Sequence, residues 1–220
     1  MRKFFEIGGV VAGAILIAFG IAAIVMGVNG KSTVRDSLKL EKIAGTPDMT
    51  PAAIKQEAKD AGIAAFVTKY PTVSVAGKQI NTGDRARAFA GYMRIHALEA
   101  TQGMTYAEMG RFVARPGAPK SVLDRLGATS VPKWALVDAK TKQPVENARR
   151  NVWVTETALT TALNVSYMAE QLSIFGIVMG VALLLAGIGF TILAIGGALR
   201  NPETALGFVR KYAQATPTPA

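Results

Sequence analysis

Two long uncharged apolar runs, and the polar stretch between them, predict the fold class. The runs are Ile7–Val28, with 22 residues, and Gln171–Leu199, with 29. A membrane-spanning helix needs about 20 predominantly apolar residues. The sequence therefore predicts a membrane protein in which two transmembrane helices flank a mostly helical α+β domain containing a small hairpin.

The first run shares one feature with a cleaved signal peptide, because Arg2 and Lys3 precede it. A signal peptide has an apolar core of about 7–15 residues and a small-residue cleavage site after it. This run is longer and no A-x-A site follows it, so we interpret it as an uncleaved anchor. The second run exceeds a perpendicular span, and either tilts or begins above the bilayer.

Basic residues flank both runs and predict the orientation. Arg2 and Lys3 precede the first run, and Arg200, Arg210 and Lys211 follow the second. The positive-inside rule places both flanks in the cytoplasm. The predicted divisions in the plasma membrane are a cytoplasmic N-terminus at 1–6, a span at 7–28, an extracytoplasmic domain at 29–171, a span at 172–199, and a cytoplasmic tail with a disordered end at 200–220.

Composition excludes several chemistries. The chain has no cysteine and one histidine, so thiolate nucleophiles, zinc–sulfur sites and iron–sulfur clusters are excluded. We predict no cofactor and no metal ion. The net charge of +10 lies mostly between the two runs. The predicted topology keeps that charge away from nucleic acid, and favours membrane lipid as a partner or simple solubility of the domain.

Turn and cap signals divide the central stretch into elements. Thr50 is a plausible N-cap with Pro51 at the first helical position, which predicts a helix ending near Ala61. A short extended segment is predicted at 72–76, and a helix at 84–101 with one buried face. Thr105 and Glu108 form a capping-box pattern that predicts a third helix at 106–113. One more helical turn is predicted at 121–126.

The pattern then changes to a strand type. Residues 134–137 are apolar and form the first predicted strand, and residues 138–143 are a polar turn. Residues 144–146 form the strand that runs back, which completes the predicted small hairpin. A helix begins near Trp153. Because neither glycine nor proline occurs in 152–175, we expect it to continue into the second span as one helix.

Small residues recur in both spans. Gly9 and Gly13 form one G-x-x-x-G pattern, and Gly176 and Gly180 form another. Seven-residue spacing extends each into a stripe, and small residues on one face let membrane helices approach closely. The predicted helix-packing residues are Gly9, Gly13, Gly20, Gly27, Gly176, Gly180, Gly187 and Ala194. The sequence leaves open whether the stripes pair with each other or with another subunit.

The helix before the second span carries a polar, uncharged face, which suits contact with a partner or with its own domain. The predicted partner-contact residues are Trp153, Thr157, Thr160, Asn164 and Tyr167. His96, with Glu99 three residues later, is the one classical acid/base candidate. A metal site needs ligands from other helices, so we interpret His96 as a packing residue beside Tyr92 and Met93.

The run Trp153–Asn164, with Ser166-Tyr167 and Ala169–Gln171, resembles a family of uncharacterised actinobacterial two-span membrane proteins. The start, Arg2–Phe5 and then Gly8-Gly9, resembles theirs too. Some members carry the label aromatic ring-opening dioxygenase. Such enzymes need an iron site, and with one histidine in this chain we reject that label here. The resemblance implies no activity, cofactor or functional residue.

These observations favour a structural, accessory or assembly subunit of an envelope or membrane complex. Its partners would be membrane lipid and other membrane subunits or a second copy of the chain. No P-loop, G-x-S-x-G elbow or H-E-x-x-H motif occurs, so we predict no enzymatic activity and no catalytic residue. The alternative is a binding module for an apolar or acidic envelope ligand such as lipid. A deep pocket in the central domain favours that alternative, and a wide flat apolar patch favours the subunit.

Overall fold

The computed structural model describes residues 2–196. The predicted tail at 200–220, with Arg200, Arg210 and Lys211, lies outside the described residues, as does the end of the second apolar run. The described chain is mostly helical and contains a small antiparallel sheet, in agreement with the predicted class. Its helices and strands are α1 (Arg2–Leu40), α2 (Pro51–Asp60), α3 (Gly83–Ala100), β1 (Phe112–Val113), β2 (Ala128–Thr129) and α4 (Arg149–Ile195). Short 3-10 turns occur at Ala64–Phe66, Lys120–Val122 and Pro132–Trp134.

The chain divides into two compact units. One comprises Met1–Thr33 with Gln171–Ala220, and we call its described part the helix pair. The other, Val34–Glu170, is the central domain. α1 and α4 are long and apolar enough to cross a membrane.

Glycines form the contact within the helix pair, and the two helices run antiparallel. A Cβ at Gly20 would lie 2.7 Å from the Leu184 nitrogen and 2.8 Å from the Gly180 oxygen. Farther along, Gly13 faces Gly187 in the same way. Real Cβ atoms do not approach backbone this closely, so only glycine permits this helix separation at these positions.

The other faces of the helix pair carry large apolar side chains that the protein does not cover. Phe19, Met26, Phe175, Leu185 and Ile192 are all exposed. In the most apolar window of each helix, only 17% of the residues are buried. These faces therefore differ from those of a core helix in a water-soluble protein, which buries its apolar side chains.

Helices α2 and α3 build the core of the central domain. The Thr50 hydroxyl accepts a hydrogen bond from the Ala53 amide at 3.1 Å, and Pro51 opens α2, so the predicted start is confirmed. α2 buries Ile54 and Ala58. α3 begins one residue earlier than predicted, because the Thr82 hydroxyl caps it, and it buries a face that includes Tyr92 and Ile95.

A buried carboxylate joins three helices of the central domain. Glu170, on α4, accepts a short hydrogen bond from the Gly83 amide at the start of α3. Its other oxygen lies 3.0 Å from Nε of Arg35, on α1. The Glu170 side chain is 5% exposed. Its charge is therefore stabilised by a guanidinium and by a helix N-terminus, the two partners that a buried carboxylate needs.

The predicted helix at 106–113 is wrong. The Glu108 carboxylate does accept hydrogen bonds from the Thr105 amide and hydroxyl, both at 2.7 Å, but the backbone makes only a turn there. After that turn, Phe112 and Val113 pair with Thr129 and Ala128. Asp124 stabilises the turn before β2 by accepting hydrogen bonds from three backbone amides. Non-local pairing therefore overrides the local capping signal.

The predicted hairpin is present as a narrow contact. Val137 pairs with Pro144 as an isolated bridge, and the Asp138 amide donates to the Gln143 oxygen at 2.9 Å. The regular strands, however, are β1 and β2, which the sequence did not predict. The extended segment predicted at 72–76 forms no regular strand, although Ala76 bridges to Gly45. The predicted turn at 121–126 is a 3-10 turn at Lys120–Val122.

The glycine contact gives a first prediction. Gly20→Leu adds four carbons where a Cβ alone would meet backbone, so we expect it to destabilise the helix pair by about 1–3 kcal/mol. Gly189→Leu is the matched control, because no described atom lies within 4 Å of a Cβ there. Thermal unfolding of the detergent-solubilised protein measures both. Equal midpoints for the two variants would show that the glycine contact contributes nothing.

The buried carboxylate gives a second prediction. Glu170→Gln keeps the shape but removes the charge that Arg35 and the Gly83 amide face. We expect a loss of about 1.5–3 kcal/mol, the usual contribution of hydrogen bonds to a charged group. Asp60→Asn, an exposed carboxylate bonded to Gln56, is the control, with an expected change below about 0.5 kcal/mol. Denaturant unfolding followed by circular dichroism compares them, and a Glu170→Gln variant as stable as wild type contradicts the assignment.

Candidate ligand-binding cavity

The central domain contains a cavity of about 750 Å³ between α3, the 67–73 segment and the part of α4 at 156–167. This volume lies within the range of small-molecule sites, about 300–1,000 Å³. Each of these three segments contributes apolar side chains to the walls. These side chains are Val67, Tyr70, Pro71, Val73, Ile95, Leu98 and Tyr167.

One face of α3 forms a wall of the cavity. Asp84, Arg87, Gly91, Arg94 and Leu98 recur at steps of three and four residues, so they lie along one side of the helix. Gly91 sits in the middle of this face. A Cβ there would lie 3.1 Å from Cγ of Pro71, so glycine lets the 67–73 segment approach α3 closely. This close contact between α3 and the 67–73 segment forms part of the cavity wall.

Two arginines of that face are stacked on aromatic rings. The guanidinium of Arg87 lies 4.6 Å from the centre of the Tyr167 ring, and that of Arg94 lies 5.1 Å from the Trp153 ring. Among the ion pairs of residues 2–196, neither guanidinium has a carboxylate partner. Stacking holds a guanidinium by its face and leaves its in-plane N–H donors free, which is the arrangement that binds carboxylate or phosphate.

A carboxylate also borders the cavity. Glu156, on α4, is 4% exposed and accepts a hydrogen bond from the Thr157 hydroxyl at 3.2 Å. Within the described part of the chain it forms no ion pair. It offers an acceptor for a hydroxyl or ammonium group of a bound molecule.

The structure separates the five residues predicted to contact a partner. Thr160, Asn164 and Tyr167 line the cavity. Thr157 lies instead at a shallow apolar depression on another side of α4, beside Tyr106. Trp153 is mostly buried: the residue is 4% exposed, and its Nε1 donates a hydrogen bond to the Met104 oxygen at 2.7 Å. Its small exposed part borders the same depression as Thr157.

The helix-packing residues lie within the helix pair, where six of them face the opposite helix. Gly13, Gly20 and Gly27 on α1 lie against α4, and Gly180 and Gly187 lie against α1. Gly176 makes a looser approach, since its nearest neighbour would be the Ala23 oxygen at 3.8 Å. Gly9 and Ala194 are buried. The stripes therefore pair with each other in this chain, an alternative that the sequence left open.

The surroundings of His96 differ from the expected packing. His96 Nε2 lies 3.1 Å from Oδ2 of Asp48, in the turn before α2, and 3.4 Å from Oε1 of Glu57, on α2. The sequence pattern places only Glu99 beside His96, because Asp48 and Glu57 lie in other elements. No local spacing signals this cluster, which forms when α2 packs on α3.

Crowding of carboxylates changes the acidity of this cluster. Burial, together with a hydrogen bond and the charge of Glu99, raises the pKa of Glu57 to about 7, and the charge of Asp48 contributes. A hydrogen bond from the Thr46 side chain lowers the pKa of Asp48, and His96 lowers it further. The protein therefore favours the charged form of Asp48 and disfavours the charged form of Glu57.

Comparison with protein-family models, with curated proteins and with solved structures gives no match.

Proposed function

We propose that this chain is a two-span plasma-membrane protein whose central domain is an extracytoplasmic binding module for an amphipathic anion. One observation carries the proposal: the cavity of about 750 Å³ has apolar walls and two arginines that form no ion pair with a carboxylate of residues 2–196. A cavity of this volume with apolar walls and a few charged groups favours ligand binding over a purely structural role.

The exposed faces of the helix pair support insertion in a membrane. A cleaved signal sequence or a soluble core helix would not account for two apolar helices that pack through glycine and leave Phe19 and Leu185 uncovered. Lipid chains cover such side chains without cost. The basic residues at both ends of the sequence support cytoplasmic termini, and hence an extracytoplasmic central domain.

The walls of the cavity support the proposed ligand class. Arg87 and Arg94 lie seven residues apart on one helix face and would bind a carboxylate or phosphate group. The apolar side chains beyond them would cover a hydrocarbon segment. Membrane lipids and free fatty acids share this chemistry. The proposed role is non-enzymatic, and it needs no cofactor or nucleic acid.

An accessory subunit of a membrane complex is the second candidate. A shallow depression favours it, because this depression is mostly apolar and lies on an uncovered face of α4; its lining residues are Tyr106, Trp153, Val154, Thr157, Ala158 and Thr161. The glycine stripes support this candidate less than the sequence suggested, since their close contacts are made within the chain. A partner subunit, or a second copy of the chain, would then bind at this depression.

The proposed topology has a direct test. Because the chain has no cysteine, single cysteines introduced for Lys78 and for Ala213 are unique labelling sites. A membrane-impermeant maleimide should label the first in intact cells and the second only after permeabilisation. Labelling of both sites in intact cells would overturn the two-span orientation.

The binding proposal is tested with octyl phosphate, an anion with one alkyl chain. The full chain in nanodiscs of neutral lipid should bind it saturably in calorimetric titrations from which empty nanodiscs are subtracted. Arg87→Met and Arg94→Met each remove a charge-assisted hydrogen bond, so affinity should fall about tenfold or more.

Arg115→Met is the matched control for those variants. Arg115 also stacks on a ring, 4.6 Å from that of Trp134, but it does not line the cavity. The Arg115→Met variant should bind octyl phosphate with the same affinity as wild type. Wild-type affinity in the Arg87 and Arg94 variants, or no saturable binding at all, would overturn the proposal.

A further inference from the structure

We propose that Asp48, Glu57 and His96 form a binding site for a divalent transition-metal ion, with zinc as the best-fitting ion. This site lies outside the cavity and stands independently of the proposed function. The three residues come from the turn before α2, from α2 and from α3. Each offers one ligand atom, and these atoms all lie within 4.8 Å of one another.

The distances from the imidazole nitrogen are close to those of a tetrahedral site. Zinc binds imidazole nitrogen and carboxylate oxygen at about 2.0–2.2 Å, so neighbouring ligand atoms of a tetrahedron lie about 3.3–3.6 Å apart. In this protein the distances from His96 Nε2 are 3.1 Å to Asp48 and 3.4 Å to Glu57, and the two carboxylate oxygens lie within 4.8 Å of each other. Binding of one ion by all three atoms therefore requires side-chain adjustment but no movement of the helices.

The imidazole nitrogen supplies an independent observation. Nε2 of His96 is inaccessible to solvent, and within the described residues it makes no hydrogen bond. Its contacts with the two carboxylates have the distance of an ion pair without the direction of a hydrogen bond. Buried polar atoms are almost always hydrogen-bonded, so an orphaned nitrogen facing two carboxylates points to a missing cation.

The charge of the cluster favours the same conclusion. Glu99 lies one turn beyond His96 on α3 and borders the same depression as Asp48 and Glu57, so three carboxylates surround the site. A bound dication would offset the repulsion between these carboxylates. This depression is open to solvent, so an ion reaches the two carboxylate ligands from outside, and the imidazole nitrogen lies behind them.

The ligand types select the class of ion. One imidazole nitrogen with carboxylate oxygens suits zinc or manganese, and magnesium prefers oxygen ligands and retained water. Three protein ligands leave a fourth position for water. A plain His96–Asp48 ion pair is the competing explanation, and it requires no ion.

The test uses the full chain, purified in detergent through a tag without histidines and stripped with a chelator. Calorimetric titration with zinc chloride in the presence of millimolar magnesium should show one zinc per chain. His96→Gln and Glu57→Gln should each lower the affinity at least tenfold. Glu146→Gln, an exposed carboxylate outside the cluster, should bind zinc like wild type.

Thermal unfolding supplies the second measurement. Zinc should raise the midpoint of wild type and of Glu146→Gln by several degrees, but not that of His96→Gln. Circular dichroism confirms that each variant is folded, and Asp48→Asn replaces any variant that is not. Absence of one-to-one binding in wild type, or unchanged zinc affinity in the His96 and Glu57 variants, overturns the site and leaves the ion pair as the explanation.

Discussion

The central domain depends on one buried carboxylate, Glu170. A carboxylate 5% exposed is costly unless it is paired, and Glu170 satisfies its charge by joining Arg35 on α1 to the first amide of α3. This interaction holds the start of α3 against α4 near Tyr167, where a Cβ at Gly83 would lie 2.9 Å from the Tyr167 Cα. Arg87, one turn into α3, therefore stacks on Tyr167, and the cavity wall follows from that placement.

Helix α3 connects the two candidate sites of the central domain. One of its faces carries Arg87 and Arg94 into the cavity, and His96 lies toward α2 beside Asp48. Between these faces, Tyr92 and Ile95 are fully buried and fix the rotation of the helix. Because packing fixes that rotation, the face with Arg87 and Arg94 and the side with His96 keep their positions relative to each other.

The helix pair depends on a different constraint: glycine, which has no side chain, must occupy the positions where the two helices touch. In the proposed membrane location the hydrophobic effect contributes little between helices, so close packing must supply the association. Gly20 and Gly180 allow the backbones to meet, and the larger side chains remain on the outer faces. This arrangement uses both stripes within one chain. A partner protein would have to recognise some other surface.

The sequence by itself determined the two apolar helices, the start of α2 at Thr50, and the glycine spacing, because these features rest on composition and on contacts within one turn of helix. The start of α3 was placed within one residue for the same reason. Only the tertiary structure decided what the glycines face, that Trp153 is buried, that Phe112 pairs with Thr129, and that Asp48 and Glu57 meet His96. These contacts join residues far apart in the chain, and no local periodicity encodes them. The helix predicted at 106–113 failed for this reason: its capping residues satisfy a single turn, and the next residues form a more favourable pairing with a distant segment.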